Sequence, residues 1–127
     1  MAIEAVVVTA FREKIAAHLA GKGTLKPIRF MAFGVGGHDS DGNPIMPTEG
    51  QTALKDERLR KELSVITQED TLSVTGTGVI EKAEMVDMAL SEAGLLDADG
   101  ELVAVKNFAP KIKEADERYE CSMLVRF

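Results

Sequence analysis

The sequence predicts an α+β fold, mainly an antiparallel β sheet or sandwich, with one N-terminal helix and a second short helix. Three observations support this fold class. One run near the N-terminus has helical spacing, the second half alternates apolar with polar residues, and Gly, Pro, Asp and Asn separate these runs. Because 127 residues suit one ordinary domain with its own core, we assign residues 1–127 to a single domain.

The first predicted element is a helix over residues 9–20. Thr9 suits the N-cap position, and Gly21 follows the last apolar residue, as is common where helices end. Apolar side chains recur at every fourth position among helix-favouring alanines: Phe11, Ile15 and Leu19. These features predict one amphipathic N-terminal helix.

A strand and a long loop are expected next. Residues 28–33, Ile-Arg-Phe-Met-Ala-Phe, have the composition of a strand, which ends at the glycine-rich residues 34–37. Residues 38–50 contain two Pro, two Gly and three Asp or Asn. Because these residue types support neither a helix nor strand pairing, we predict a loop here.

The second short helix is predicted over residues 52–62. Thr52 can cap it, and Asp56–Arg60 and Glu57–Lys61 are i,i+4 pairs with the acid first, the order that stabilises helices. Its apolar stripe is thin and consists of Leu54, Leu59 and Leu63. We therefore expect this helix to lie across the surface.

Period-two alternation predicts strands over residues 71–80, 102–108 and 118–127. Asp99-Gly100 predicts a tight hairpin turn before the second of these strands. Residues 81–93 are ambiguous, because their Glu, Ala, Met and Leu content favours a helix. We predict a strand over residues 88–96, since a strand that leads into the hairpin completes an antiparallel meander.

Charge and cysteine content exclude several classes of function. A net charge of −6 without clustered Lys or Arg argues against binding to nucleic acid or to an acidic membrane surface. Cys121 is the single cysteine, so neither an intrachain disulfide nor a multi-cysteine zinc site is possible, and folding in a reducing cytoplasm is expected. The N-terminal residues lack the positive start and apolar stretch of a signal peptide or membrane span.

Two loop segments have alternative interpretations. Asp39 and Asp41 are spaced like calcium ligands, but the twelfth position counted from Asp39 is Gly50 rather than a bidentate Glu, which favours a solvated turn. Gly34–Gly37 resembles a phosphate cradle only superficially. It leads into acidic residues rather than into a helix with Lys-Ser or Lys-Thr, so we interpret it as a backbone bend.

The remaining chemically interesting residues favour structural roles. His18 and His38 have no metal-ligand spacing, and we expect His18 to be partly buried beside the helix stripe. Cys121 alternates with apolar residues and is typical of a core position. Glu92 is expected to be partly buried and hydrogen-bonded, with Arg29, Arg60 or Lys82 as candidate partners. We therefore predict no catalytic, cofactor or metal site, no small-molecule substrate and no enzymatic activity.

Four patterns follow one another along most of the chain. The first is an extended segment, a Thr and an Ala-rich helix that ends in Gly, over residues 6–21. Phe-Gly-x-Gly-Gly follows at 33–37, and Thr-Ala-Leu-x-x-Glu-x-x-Arg at 52–60. The last is Glu-x-Gly-Leu-x-Asp-x-x-Gly-x-Leu at 92–102. Together they resemble the N-terminal domain of phage tail-collar fibre proteins.

The resemblance implies a non-enzymatic virion structural protein of the tail, tail fibre or baseplate, made in the host bacterial cytoplasm. It also implies a homo-oligomer that contacts other virion tail proteins. Val35, Ala93 and Leu96 depart from the residues that the family often has, and without a fibre shaft we expect a stand-alone attachment module. The alternatives are a capsid decoration or connector protein and a small host ligand-binding domain.

Three surfaces are candidates for assembly contacts. They are the Ile45–Thr48 loop, the predicted helix near Leu59, and the final strand. Met46, Leu59 and Val35 are apolar where a monomer would favour polar side chains, which is a modest sign of an interface.

Overall fold

The computed structural model describes residues 3–127, which form two β sheets and one helix. The predicted class, mainly antiparallel sheet with an N-terminal helix, is therefore confirmed. The elements in chain order are β1 Ile3–Glu4, β2 Val6–Val7, α1 Thr9–Leu19, β3 Ile28–Gly34, β4 Glu57–Glu62, β5 Val65–Thr67, β6 Ser73–Ile80, β7 Ala89–Asp97, β8 Leu102–Ile112 and β9 Tyr119–Arg126.

The smaller sheet has four strands in the order β1-β9-β6-β5. Its centre is the antiparallel pair of β6 and β9, whose register runs from Ser73 opposite Arg126 to Ile80 opposite Tyr119. Strand β1 adds in parallel to β9, and β5 adds antiparallel to β6. The predicted strands over residues 71–80 and 118–127 are thus confirmed, with slightly shorter bounds.

The larger sheet has five strands in the order β2-β8-β7-β3-β4, all paired antiparallel. Strands β7 and β8 form the hairpin expected at Asp99-Gly100, where Gly100 has a φ of +82°. Strand β7 confirms the strand predicted over residues 88–96. It is the central strand, and its residues from Leu90 to Asp97 are all buried.

The two sheets share one hydrophobic core. The α-carbon of Gly78 on β6 faces β3 so closely that a β-carbon there would lie 2.8 Å from Met31 Sδ and 3.1 Å from Phe33 Cζ. Gly76 approaches Leu95 on β7 in the same way. Because Met31, Phe33 and Leu95 are fully buried, these contacts close the core between the sheets.

Helix α1 confirms the helix predicted near the N-terminus, but its N-cap is Val8 rather than Thr9. Val8 makes no side-chain capping bond, and Thr9 N instead donates to Glu49 O at 2.7 Å. Phe11 is the one residue of α1 that is buried. Within residues 3–127, no helix has the length and apolar character that crossing a bilayer requires.

The second short helix predicted over residues 52–62 is wrong, because residues 57–62 form β4 at the edge of the larger sheet. The expected i,i+4 pairs do not form. Arg60 instead bonds Glu57, and Lys61 reaches Glu84 on another part of the chain. Each helical pair contributes only about 0.2–0.5 kcal/mol, so pairing along β3 and partial burial of Leu59 outweigh them.

Candidate assembly surface and its buried anchor

Glu92 lies in the middle of β7 with no exposed surface, and its carboxylate is fully hydrogen-bonded. Its Oε2 atom accepts from Gly36 N at 2.9 Å and Asp56 N at 2.8 Å, and Oε1 accepts from Lys55 N at 2.8 Å. Hydrogen bonds to a charged acceptor are stronger than neutral ones, and they offset the loss of hydration on burial. Burial and hydrogen bonding were expected, but the partners are main-chain donors, so the expectation of a cationic side chain is wrong.

The three donors lie on both sides of the 38–50 loop. Gly36 precedes the loop, whereas Lys55 and Asp56 follow it. One buried carboxylate therefore ties the two ends of a long irregular segment to the central strand. This arrangement reduces the number of conformations that the loop can adopt, and we call Glu92 the anchor of the loop.

The glycine-rich bend exists because the anchor approaches it so closely. A β-carbon at Gly34 would lie 2.5 Å from Glu92 Oε2, and one at Gly36 would lie 2.6 Å from Lys55 Cβ. No side chain fits at either position without moving the carboxylate or the backbone. The interpretation of this segment as a bend is confirmed, and the Gly36 N–H group that a phosphate would need is already bonded to Glu92.

Ser91 and His38 fasten the start of the loop. Ser91 is fully buried, and its hydroxyl donates to Gly36 O while lying 3.0 Å from His38 Nδ1. A serine nucleophile must be accessible and must give its proton to the base. Since the Ser91 proton is directed at the Gly36 carbonyl, we infer that His38 Nδ1 donates to Ser91 Oγ. The pair therefore has a structural role and holds the start of the loop against β7.

His18 does not take part in this cluster. It is exposed rather than partly buried, so that expectation is wrong. Its Nδ1 atom accepts from Leu25 N at 3.3 Å and lies 3.1 Å from Gly23 O, beyond the C-terminus of α1. The ring therefore orders the exit from the helix.

Asn107 on β8 positions the middle of the loop. Its Nδ2 atom donates to Ile45 O at 2.8 Å, and Ile45 N donates to Gly37 O at 2.8 Å. Gly37 has a φ of +77°, and a β-carbon there would lie 2.4 Å from Asn107 Oδ1. The backbone of Ile45 is thus held on two sides, while its side chain faces outwards.

The Ile45–Met46 tip is the exposed apolar part of the loop. Ile45 is 49% and Met46 78% exposed, and the prolines on either side stiffen the backbone. Beside the tip is a shallow concavity of about 170 Å³, with Lys106 and Asn107 on its other wall. The loop therefore presents two large apolar side chains to solvent from a fixed base.

The Asp39 segment forms a local turn. Asp39 Oδ1 accepts from Asn43 N and Asp41 N, both at 2.9 Å, and the first of these bonds contributes most to lowering the pKa of Asp39. Among residues 3–127, no group of three or more His, Cys, Asp or Glu side chains is arranged to hold a metal ion. This turn geometry is what the solvated-turn interpretation predicts.

The other two candidate contact surfaces are less exposed than expected. Leu59 and Val35 pack partly against the core, which accounts for their apolar character. The final strand lies between β1 and β6, and its alternate residues are buried: Cys121, Met123 and Val125. Cys121 is thus confirmed as a core residue, and burial raises the pKa of its thiol to about 11.

The comparison with protein families fits this architecture. Residues 1–126 match the family described as phage tail-collar fibre protein, N-terminal. The chain belongs to this family. No curated protein shows a significant match. Membership of this family indicates a structural role in the phage tail. It also implies that the tail-collar fibre domain is a virion component that associates with other virion proteins.

Three of the four sequence patterns of the tail-collar fibre domain are linked by hydrogen bonds. Glu92 from the last pattern bonds Gly36 from the second pattern, and also Lys55 and Asp56 from the third. Arg60 from the third pattern donates to Gly100 O of the last at 3.3 Å. The bonds to Glu92 therefore link three patterns at the base of the 38–50 loop, and the Arg60–Gly100 bond links two of them at the β7–β8 turn.

Sequence reasoning missed four polar residues that this architecture uses. Ser91 and Asn107 hold the loop, Asp97 pairs with a lysine of α1, and Lys113 is 1% exposed. Lys113 Nζ donates to the carbonyl oxygens of Lys82 and Glu114. The available signal was a polar residue inside an apolar run, as with Ser91 in β7, but the partners were not readable from local sequence.

Proposed function

We propose that this tail-collar fibre domain is a non-enzymatic tail component that assembles through protein–protein contacts of the 38–50 loop. The observation that supports the proposal is the Ile45–Met46 tip, which is apolar, exposed and mounted on a base held by the buried Glu92. Exposed apolar side chains on an ordered loop favour burial against another surface. Because the loop is already ordered, little further conformational entropy is lost on binding.

We further propose that the domain assembles as a homo-oligomer together with other tail proteins. Tails are built with rotational symmetry, so one component is present in several equivalent copies. Synthesis in the host bacterial cytoplasm is the matching proposal for its origin, since the lone buried Cys121 needs no oxidation.

The contact surface is tested with the double variant Ile45→Ser/Met46→Ser. Light-scattering mass of the 127-residue chain is measured over a range of concentrations. We expect a concentration-dependent oligomer for the unmodified chain and a shift towards monomer for the variant. Leu19→Ser is the matched control, because Leu19 is also an exposed aliphatic side chain, at 79%, but lies at the end of α1.

Two outcomes contradict this part of the proposal. An unmodified chain that stays strictly monomeric at high concentration rules out self-assembly by the isolated domain. An oligomer that is unchanged in the double variant but weakened in Leu19→Ser moves the contact to the helix. Equal thermal stability of both variants is required before the masses are compared.

The position in the virion is tested with gold-labelled antibodies on phage particles. Electron micrographs distinguish tail from head directly. We expect label on the tail. Label on the head would instead support the alternative of a capsid decoration or connector protein.

A further inference from the structure

Strand β5 has an open outer edge. It is the terminal strand of the smaller sheet, and its three residues, Val65, Ile66 and Thr67, are all exposed. Val65 is 51% and Ile66 48% exposed. On the side away from β6, the main-chain N–H and C=O groups of this strand have no neighbouring strand among the described residues. Such an edge can pair with a further strand.

Two edges of the larger sheet carry features that block strand addition. Strand β4 is covered with paired charges, including Arg58–Asp56 at 2.8 Å and Arg60–Glu57 at 2.9 Å. The part of β8 beyond its pairing with β2 contains Pro110, which cannot donate a main-chain hydrogen bond. Strand β5 has neither a charge nor a proline. The β5 edge therefore lacks the features that protect β4 and β8, as expected for an edge that binds another strand.

A concavity of about 300 Å³ lies beside this edge. Its apolar lining comes from the start of β3 and from the segment that leads from β4 into β5: Pro27, Ile28, Leu63, Val65 and Ile66. Because Val65 and Ile66 line the concavity, a side chain of a strand added to β5 could reach it. In strand addition, main-chain hydrogen bonds supply affinity and such pockets supply specificity.

The charges around β5 specify the occupant. The run from Glu62 to Asp70, which is exposed except at Leu63, contains Glu62, Glu69 and Asp70 but no Lys or Arg. Glu62 and Glu69 belong to none of the ion pairs formed within residues 3–127. Arg29 also lines the concavity, but it takes part in none of these ion pairs. The complementary partner is therefore basic on either side of its apolar part.

A second copy of β5 fits this edge poorly. Two copies joined at this edge would bring the Glu62, Glu69 and Asp70 carboxylates that flank β5 in one copy close to the same carboxylates of the other. Like charges brought close together repel each other and weaken such a contact. Charge complementarity thus favours a different protein segment over self-pairing.

We propose that the β5 edge binds an extended segment of a partner protein by strand addition. The segment contributes an aliphatic side chain to the concavity and Lys or Arg residues beside Glu62 and Glu69. This surface lies at the start of β3, whereas the 38–50 loop follows its end. At about 3.3 Å per residue, seven residues of strand separate the two surfaces by roughly 20 Å. The proposal therefore does not depend on the tip contact.

The test uses the full 127-residue chain and two fluorescent synthetic peptides. One alternates valine and threonine between pairs of lysines, and the other has glutamates in place of the lysines. Binding is measured by fluorescence anisotropy at several salt concentrations. We expect the lysine peptide to bind and the glutamate peptide to bind about tenfold more weakly or not at all, with the preference falling as salt rises.

The charge-reversed variant Glu62→Lys/Glu69→Lys separates charge recognition from misfolding. It should lose affinity for the lysine peptide and gain affinity for the glutamate peptide, while its circular dichroism spectrum and thermal midpoint match those of the unmodified chain, which excludes misfolding. Ile66→Ser should weaken both peptides, whereas Leu19→Ser, which changes an exposed aliphatic side chain elsewhere, should not. Amide hydrogen exchange should slow at residues 65–67 when the lysine peptide is bound.

Three results would overturn the proposal. The first is an absence of binding by either peptide, and the second is a peptide preference that the charge-reversed variant leaves unchanged. The third is a dimer of the unmodified chain that dissociates in Ile66→Ser, which would assign the edge to a second copy.

Discussion

At the scale of single residues, the 38–50 loop depends on a small set of close approaches. Glu92 accepts three main-chain hydrogen bonds, and Gly34 and Gly36 leave room for its carboxylate. Asn107 then holds Ile45 in place from β8. None of these hydrogen bonds involves Met46, yet they determine where the tip lies. Removing one of them should therefore weaken both stability and loop order.

Glu92→Gln tests the anchor with little change of shape. Glutamine has one acceptor oxygen and an amide group that faces N–H donors, so at least one main-chain donor loses its partner. We expect the free energy of unfolding to fall by about 2–4 kcal/mol, measured by urea denaturation. Glu120→Gln, on an exposed carboxylate, is the control and should change stability by less than about 0.5 kcal/mol. A loss below about 1 kcal/mol at Glu92 would mean that the three bonds do not anchor the loop.

At the scale of elements, local sequence predicted the structure wherever one element could be read alone. Helix α1, the alternating strands and the Asp99-Gly100 hairpin follow from spacing and turn residues. Strand β4 was missed because charged residues at an edge strand imitate helical ion pairs. Its partner β3 lies more than twenty positions earlier in the chain, so tertiary pairing decided the outcome.

In strand β7, local helix propensity also competes with strand pairing, but here the predicted strand was confirmed. Its Ala, Leu, Ser and Glu composition suits a helix, but it is buried on both sides between β8 and β3. The strand was predicted because of its neighbours, not its own composition. For the site, sequence could suggest that Glu92 is hydrogen-bonded. It could not suggest the donors, since any residue except proline has a main-chain N–H and only the fold selects Gly36, Lys55 and Asp56.

The ion pair between Lys14 of α1 and Asp97 at the β7–β8 hairpin predicts that the stability of the fold depends on pH. Lys14 Nζ lies 2.7 Å from Asp97 Oδ2, and Asp97 Oδ1 accepts from Asp99 N and Glu101 N. Burial alone would raise the pKa of Asp97. The bonds from Lys14 and the two main-chain donors outweigh burial, so the pKa lies below its ordinary value of 3.8.

A folded-state pKa below the unfolded value means that ionised Asp97 stabilises the fold above about pH 4. This contribution is lost as the pH falls through the folded-state pKa. We expect Asp97→Asn to lower the free energy of unfolding by about 2 kcal/mol at pH 7 and by less at pH 2. Urea denaturation at both pH values measures the difference. An equal loss at both would show that the charge of Asp97 contributes nothing.

At the scale of the whole molecule, the question is whether the two sheets unfold as one unit. Main-chain pairing does not connect them, because each sheet has its own set of strands. The connection is the shared core, in which Met31 and Phe33 of the larger sheet pack on Gly78 of the smaller one. A fully buried core that spans both sheets should make unfolding cooperative.

The composition provides a natural probe for this cooperativity. Tyr119 is the only tyrosine and there is no tryptophan, so tyrosine fluorescence reports on β9 in the smaller sheet. Far-UV circular dichroism reports on the strands of both sheets. We expect the two signals to give the same urea midpoint.

Phe33→Leu, a change in the larger sheet, should lower both midpoints together and reduce stability by about 1–2 kcal/mol. Phe127→Leu, at a half-exposed ring, should have a smaller effect. If tyrosine fluorescence kept its midpoint in Phe33→Leu while circular dichroism shifted, the sheets would be independent folding units, because damage to the core would then fail to reach β9.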